Sequence, residues 1–277
     1  MASTHANPLN GIDHTLIGVR DLEAARDMWR RLGFTVTPRG RHIGWGTGNY
    51  CVMFRDDYVE LLGIVDPAQF LNRLDVQLET RGEGFLGLAF AAASSAAVHA
   101  AFPRATQPPK DLGRLLELPE GNVTPRFSLV HFDPAATPGL ATFSCTHMTP
   151  EMLRRPEWLD HANGALGLDG VTIPVADPAA LAPAYAALFG QSALKGGQGR
   201  LEVGTGAHTV RFLSPERLER RYPGLGRASV MTVASRDLEA TRAYLATMGI
   251  PLAEAAGARL VVPPAQANGI VLEFVED

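Results

Sequence analysis

The chain has 277 residues, 46% hydrophobic and 19% charged, with a formal net charge of −4. That length buries a full core and favours two domains, and the slight acidity gives no electrostatic basis for binding nucleic acid or an anionic membrane surface. Two cysteines are too few for a disulfide framework, no leader-like region opens MASTHANPLNGID, and no uncharged apolar run nears the ~20 residues of a membrane span, so a cytoplasmic protein is expected.

The first element is predicted at His14–Val19, short and β-branched like a buried strand. Asp21 follows at an N-cap position, where its side chain can accept a first-turn N–H. Apolar residues at 22, 25, 28, 29 and 32 then keep helical spacing, and Gly33 ends the helix. Short extended pieces are predicted at 34–37, 43–45, 50–54 and 58–63, separated by glycines and polar turns. The unit reads β-α-β-β-β.

Three further stretches carry the same plan. Residues 227–250 restate the opening, with Asp237, Leu238 and Gly249 answering Asp21, Leu22 and Gly33. In 169–213, VGTGAHTVRF echoes WGTGNYCVMF of 45–54. A more divergent copy fits 84–147, from GFLGLAF through RFSLVHF to LATFSCTH. Units at about 11–64, 84–147, 169–213 and 227–275 thus occupy nearly the whole chain, as the search for internal repeats looks for.

Four such units, with DLEAARDMWRRLGF in the first helix, resemble the vicinal oxygen chelate superfamily of glyoxalases, bleomycin-resistance proteins and extradiol dioxygenases. The sharper likeness covers the first ~165 residues, where Cys145-Thr-His-Met-Thr-Pro-Glu151, Pro156-Glu-Trp158 and His161-Ala-Asn-Gly-Ala165 follow a glyoxalase-like pattern, CQHLTPE…PEW…HPNGA. Thr146 and Ala162 depart from it. The resemblance implies an α+β fold in which units pair into two domains, 8–165 and 166–277, each enclosing a cleft.

It also implies a metal site. His14 stands where the superfamily places its first metal-binding histidine, and Glu60 where it places a carboxylate. Strand alternation puts His14, Leu16 and Gly18 on one face, and Tyr58 with Glu60 on one face of theirs. In the second unit Gly87 falls near the position of His14, so His147 on the last strand is the expected third ligand, with Cys145 as its alternative. Nitrogen and oxygen donors suit Zn, Mn, Fe or Ni better than Ca. The GRH…GT.N resemblance of residues 40–49 suggests substrate contacts for His42 and Asn49; Trp45 is a candidate cleft wall, and Asn163 a further contact. His42 and His161 are candidate proton carriers. Gly170 and Val230 hold the corresponding first-strand positions of the C-terminal half, which is therefore expected to be metal-free although it contains His208 and Glu273.

The expected activity is that of a divalent-metal lyase or isomerase, acting on a small oxygen-rich molecule through a stabilised enolate or alkoxide. Fe(II)-dependent cleavage of a ring or diol is the alternative enzyme. A metal-free drug- or metabolite-binding protein is the alternative of another class, disfavoured by an aromatic content of only 7%. A homodimer is compatible with the resemblance.

Overall fold

A computed structural model describes residues 6–255 and 257–277. The first unit runs β1 (Leu9–Gly18), α1 (Leu22–Arg31), β2 (Gly40–His42), β3 (Thr47–Met53) and β4 (Tyr58–Ile64). After α2 (Leu74–Arg81) come β5 (Gly84–Ala92), α3 (Ser95–Ala101), β6 (Lys110–Leu116), β7 (Arg126–His131) and β8 (Thr142–His147). The third unit is β9 (Ala165–Pro174), α4 (Ala182–Phe189), β10 (Leu194–Gly197), β11 (Arg200–Gly204) and β12 (Thr209–Leu213). After α5 (Pro215–Arg221), the fourth is β13 (Val230–Ser235), α6 (Leu238–Thr247), β14 (Arg259–Val262) and β15 (Val271–Glu276).

The fourth unit is therefore one strand short of the expected plan. Its segment after α6 contains Pro251, which has no N–H to give a ladder, and contributes only an isolated bridge between Ala253 and Val261. In the first unit, 34–37 is not a strand and 43–45 is a turn around Gly44, so β2 lies between the two predicted pieces.

The repeated helix starts are capped alike. Asp21 Oδ1 accepts from the Ala24 N–H at 2.9 Å and Asp237 Oδ1 from the Ala240 N–H at 3.0 Å. Gly33, at φ +93°, takes the left-handed conformation past the end of α1 that disfavours other residues. Leu22, Ala25 and Trp29 form the buried stripe of α1, and Trp29 Nε1 donates to Asn268 Oδ1 at 3.1 Å, across to the C-terminal half.

Strands of the first two units close into an eight-stranded barrel, β1-β4-β3-β2-β6-β7-β8-β5. Antiparallel pairs β1/β5 and β2/β6 join the units on opposite sides. The other two units form an open seven-stranded sheet, β10-β11-β12-β9-β13-β15-β14. Its edges, β10 and β14, are four residues each.

A continuous apolar core runs through both halves, and a buried polar contact pins the seam. Asp57 Oδ2 meets His208 Nε2 at 3.1 Å, while Oδ1 accepts from the Leu168 N–H at 3.1 Å. The other nitrogen of His208 accepts from the Ile12 N–H at 2.9 Å. Asp57→Ala would leave two buried partners unsatisfied and should destabilise the protein by about 1–3 kcal/mol. Denaturant unfolding measures this; an unchanged midpoint would show that the seam does not depend on the contact.

Candidate active site

The barrel encloses a cavity of about 270 Å³ lined by residues from both of its units. His14 and Glu60 both face it, each 5% exposed or less. Their approach follows from strand pairing, because β1 and β4 run parallel with His14 opposite Tyr58 and Leu16 opposite Glu60. Alternate residues on each strand then share the barrel interior.

A bulge refines this geometry. On β1 the step from Ile12 to His14 spans two residues, whereas its partner on β5 advances only from Phe90 to Ala89. Asp13 is the extra residue, and its carboxylate reaches both neighbouring imidazoles. Oδ1 lies 2.6 Å from His14 Nδ1, and Oδ2 lies 2.9 Å from His147 Nε2. Burial would raise the Asp13 carboxyl, but its bonds to His14 and His147 outweigh burial and hold it far below the ordinary carboxylate range. An ionised Asp13 orients the His14 ring so that Nδ1–H points to the carboxylate and the Nε2 lone pair into the cavity.

Nε2 of His14 stands 3.6 Å from Glu60 Oε2, and Nε2 of His42 stands 3.7 Å from Glu60 Oε1. Both separations exceed a hydrogen bond. The Nδ1 atom of His42 is engaged with Thr47 Oγ1 at 2.9 Å. Asn49 Nδ2 donates to Glu60 Oε1, leaving Asn49 Oδ1 buried without a partner. Burial pushes His42 below the ordinary histidine value, favouring the neutral imidazole. Burial works the other way on Glu60, but His42, His14, Arg114 and Asn49 outweigh it and keep the carboxyl below its ordinary value. The result is an ionised carboxylate faced by two imidazole nitrogens.

His147 is not part of this group. Thr15 opposes Leu88 at the centre of the β1/β5 pair, so the β5 residue answering His14 is Gly87. The β8 residue answering Glu60 is then Phe143, the partner of Ala89. Neither side chain offers a donor, and His147, four residues farther along β8, stands outside the lining of this cavity, on the far side of the Asp13 carboxylate that also bonds His14. There it faces a second, shallower opening with Asn10, Asp13 and Arg154. Strand register thus leaves His147, the third ligand expected from the sequence, outside the lining of this cavity.

Asp13, Cys145 and His147 bring ligating atoms within 4.8 Å of one another, and are the group of three that does so among the described residues. Hydrogen bonding already accounts for the Asp13–His147 approach. Burial, reinforced by Asp13, raises the Cys145 thiol well above its ordinary value and disfavours the thiolate that a metal needs.

His161 and Asn163 also lie away from the cavity. His161 Nδ1 accepts from the Thr35 N–H at 3.0 Å and Nε2 meets the Met53 carbonyl at 3.1 Å, beside Phe34 and Phe54. Asn163 donates to the Leu32 carbonyl and accepts from the Ala165 N–H. Both tie the segment between barrel and sheet to the end of α1. Trp45 lines the cavity and meets the exposed Phe70 ring edge-on. Trp158 is outside the lining but packs in an apolar cluster that includes the wall residues Tyr58, Phe127 and Cys145. In the C-terminal half, Glu273 is engaged by Tyr222, Thr232, Arg259 and Arg221.

Two cavity residues escape a motif-based reading, Arg114 on β6 and His131 on β7. Burial lowers the His131 pKa, and neither ring nitrogen is committed to a partner among the described residues. Much of the remaining wall is apolar, with Leu16, Leu62, Leu88 and Leu129 beside the rings of Phe127 and Phe143, and Asn72, Gln77 and Thr142 add polar groups to it. Only the alternation of LGRLL and RFSLVH hinted at these positions.

A family model, the glyoxalase-like domain, matches residues 12–189, more than half of the chain. The chain belongs to the glyoxalase-like domain family. As a glyoxalase-like protein it shares the vicinal oxygen chelate fold with solved structures of low identity. A hypothetical protein from Staphylococcus aureus aligns at 11% identity over 96% of this chain and 98% of that one, with a TM-score of 0.64. A mutant 4-hydroxymandelate synthase from Streptomyces coelicolor aligns at 11% identity over 96% and 92%, with a TM-score of 0.55. These likenesses establish the fold. No curated protein matches the sequence.

Proposed function

We propose that this glyoxalase-like protein is a divalent-metal-dependent enzyme of lyase or isomerase type, acting on a small oxygen-rich molecule, with His14, His42 and Glu60 holding the ion. The observation that carries the reading is the approach of two imidazole Nε2 atoms to one buried carboxylate at 3.6 and 3.7 Å without hydrogen bonding to it. Two donors on one ion, each at about 2.1 Å, stand roughly 3.0–3.6 Å apart at ordinary angles; His14 Nε2 has that spacing to Glu60 Oε2, and His42 Nε2, 3.7 Å from the other oxygen, has to move inward to join the set. The donor types fit Zn, Mn, Fe or Ni, and each ligand has a supporting partner in Asp13, Thr47 or Asn49.

A divalent ion, when bound, acts as a Lewis acid that lowers the energy of an adjacent anionic oxygen. The chain's own residues do the rest. The leucine and phenylalanine wall excludes water and strengthens electrostatic interactions within the cavity. His131, uncharged at neutral pH, is positioned to accept a proton from a molecule held there.

Chelator-treated protein titrated calorimetrically with Zn(II), Mn(II), Fe(II) and Ni(II) should take up one ion per chain. Uptake of none of them would overturn the proposal and favour simple small-molecule binding. Two imidazoles and a carboxylate are also the set that holds non-haem Fe(II) in oxygenases, which supports ring or diol cleavage as a second reading. Oxygen consumption by the Fe(II)-loaded protein with catechols as probes separates the two.

A further inference from the structure

We infer that Arg114 is the recognition site for a carboxylate on the molecule this cavity accepts, making the ligand a small carboxylic acid with an apolar body. The inference deepens the proposal above by naming the substrate class of the same cavity.

Arg114 is 3% exposed, yet its guanidinium lies within 4.0 Å of no carboxylate among the described residues. Its Nη1 donates to Cys51 Sγ at 3.1 Å, and its Nε is buried with no hydrogen-bond partner among the described residues. Burial drives the Cys51 thiol up to about 11, so this neighbour is a neutral sulfur at physiological pH and supplies no counter-charge. The guanidinium carbon sits 5.6 Å from the Phe127 ring centroid, a placement that holds the planar group in one orientation. Gly40 contributes from β2, since a Cβ there would overlap Asn49 Oδ1 and the Arg114 side chain.

A buried guanidinium is strongly disfavoured without an anion, and among the described residues Glu60 acts on this one only from beyond ion-pairing distance. Glu60 is the other formal charge on the wall, and its carboxylate is already the focus of His14 and His42. If a divalent ion engages Glu60, the charge that Arg114 faces becomes more positive still. An anionic ligand resolves both imbalances. The planar fork of donors matches a carboxylate, and the leucine and aromatic wall takes an apolar body rather than a heavily hydrated polyanion.

The test uses chelator-treated full-length protein and two pairs of probes, benzoate with benzamide and hexanoate with hexanamide, measured by calorimetry. Each acid is expected to bind at least about tenfold more tightly than its amide, the difference that a charge-assisted hydrogen-bonded pair provides. Arg114→Gln should bring the acid-to-amide ratio close to one, and Arg114→Lys should keep part of it; near-UV circular dichroism confirms that each variant retains its packing. His14→Ala should keep the preference for acids even though it is expected to lose the metal. Equal affinity of acid and amide for the unmodified protein, no binding of either acid, or an unchanged preference in Arg114→Gln would overturn the inference. Because these measurements need no ion, a failed metal titration with an intact acid preference sinks only the metal reading. The converse result sinks only the assignment of Arg114.

Discussion

His14→Ala, purified without chelator or nickel resin, should retain less than about a tenth of the metal carried by the unmodified protein, as removal of one of three donors implies. Glu60→Gln should behave similarly, because a neutral amide cannot balance the ion's charge. His147→Ala is expected to keep its metal, and this comparison discriminates most sharply between sequence-level and structural expectations. Its imidazole bonds to Asp13 and lies outside the main cavity, so the variant should show a modest loss through weaker support of Asp13. Emission spectrometry on matched preparations gives the stoichiometry. Full occupancy in His14→Ala would remove that residue from the ligand set, whereas a loss in His147→Ala as deep as that expected of His14→Ala would restore His147 to it. Circular dichroism guards against a folding artefact, since the buried His14 ring stacks on Tyr58 and meets Phe143 edge-on.

Acid should destabilise the fold through His161 by about 3 kcal/mol, a second large effect. Burial among Phe34 and Phe54 lowers its pKa to about 4, with the Met53 carbonyl and Asp160 opposing that shift only in part. Above pH 6.5 the ring is neutral in both folded and unfolded chains, and its contribution is fully present. As pH falls from 6.5 towards 4, the unfolded chain binds a proton that the folded one does not, and stability drops by about 1.4 kcal/mol per unit of pKa difference. His161→Gln removes the titration while offering an acceptor and a donor in its place. Denaturant unfolding of both proteins at pH 7.5 and pH 4.5 isolates the effect from the other acid-sensitive groups, Asp13 among them. Parallel pH profiles would show that His161 does not titrate across the transition.

What the amino-acid sequence determined by itself is the repeated unit and its local punctuation. Asp21 and Asp237 cap their helices because capping needs only residues three apart, and Gly33 ends α1 because its φ of +93° suits a residue without Cβ. Period-two alternation also put His14 and Glu60 on faces that meet, since both belong to one unit. The structure alone decided what crosses between units. The Asp13 bulge arises from the pairing of β1 with β5, and alternation by itself would have turned Asp13 away from His14. Register between β5 and β8 sets Phe143 where a ligand was sought and carries His147 past it. Arg114 and His131 join Glu60 only when β6 and β7 close the barrel, at sequence distances over which no local spacing rule operates. The seam likewise converts His161, Asn163 and His208 from motif histidines and amides into buried hydrogen-bonding posts. Local propensity acts over a few residues, whereas burial and ion pairing depend on which surfaces the closed fold presses together, and the chemistry of this cavity belongs to the second kind.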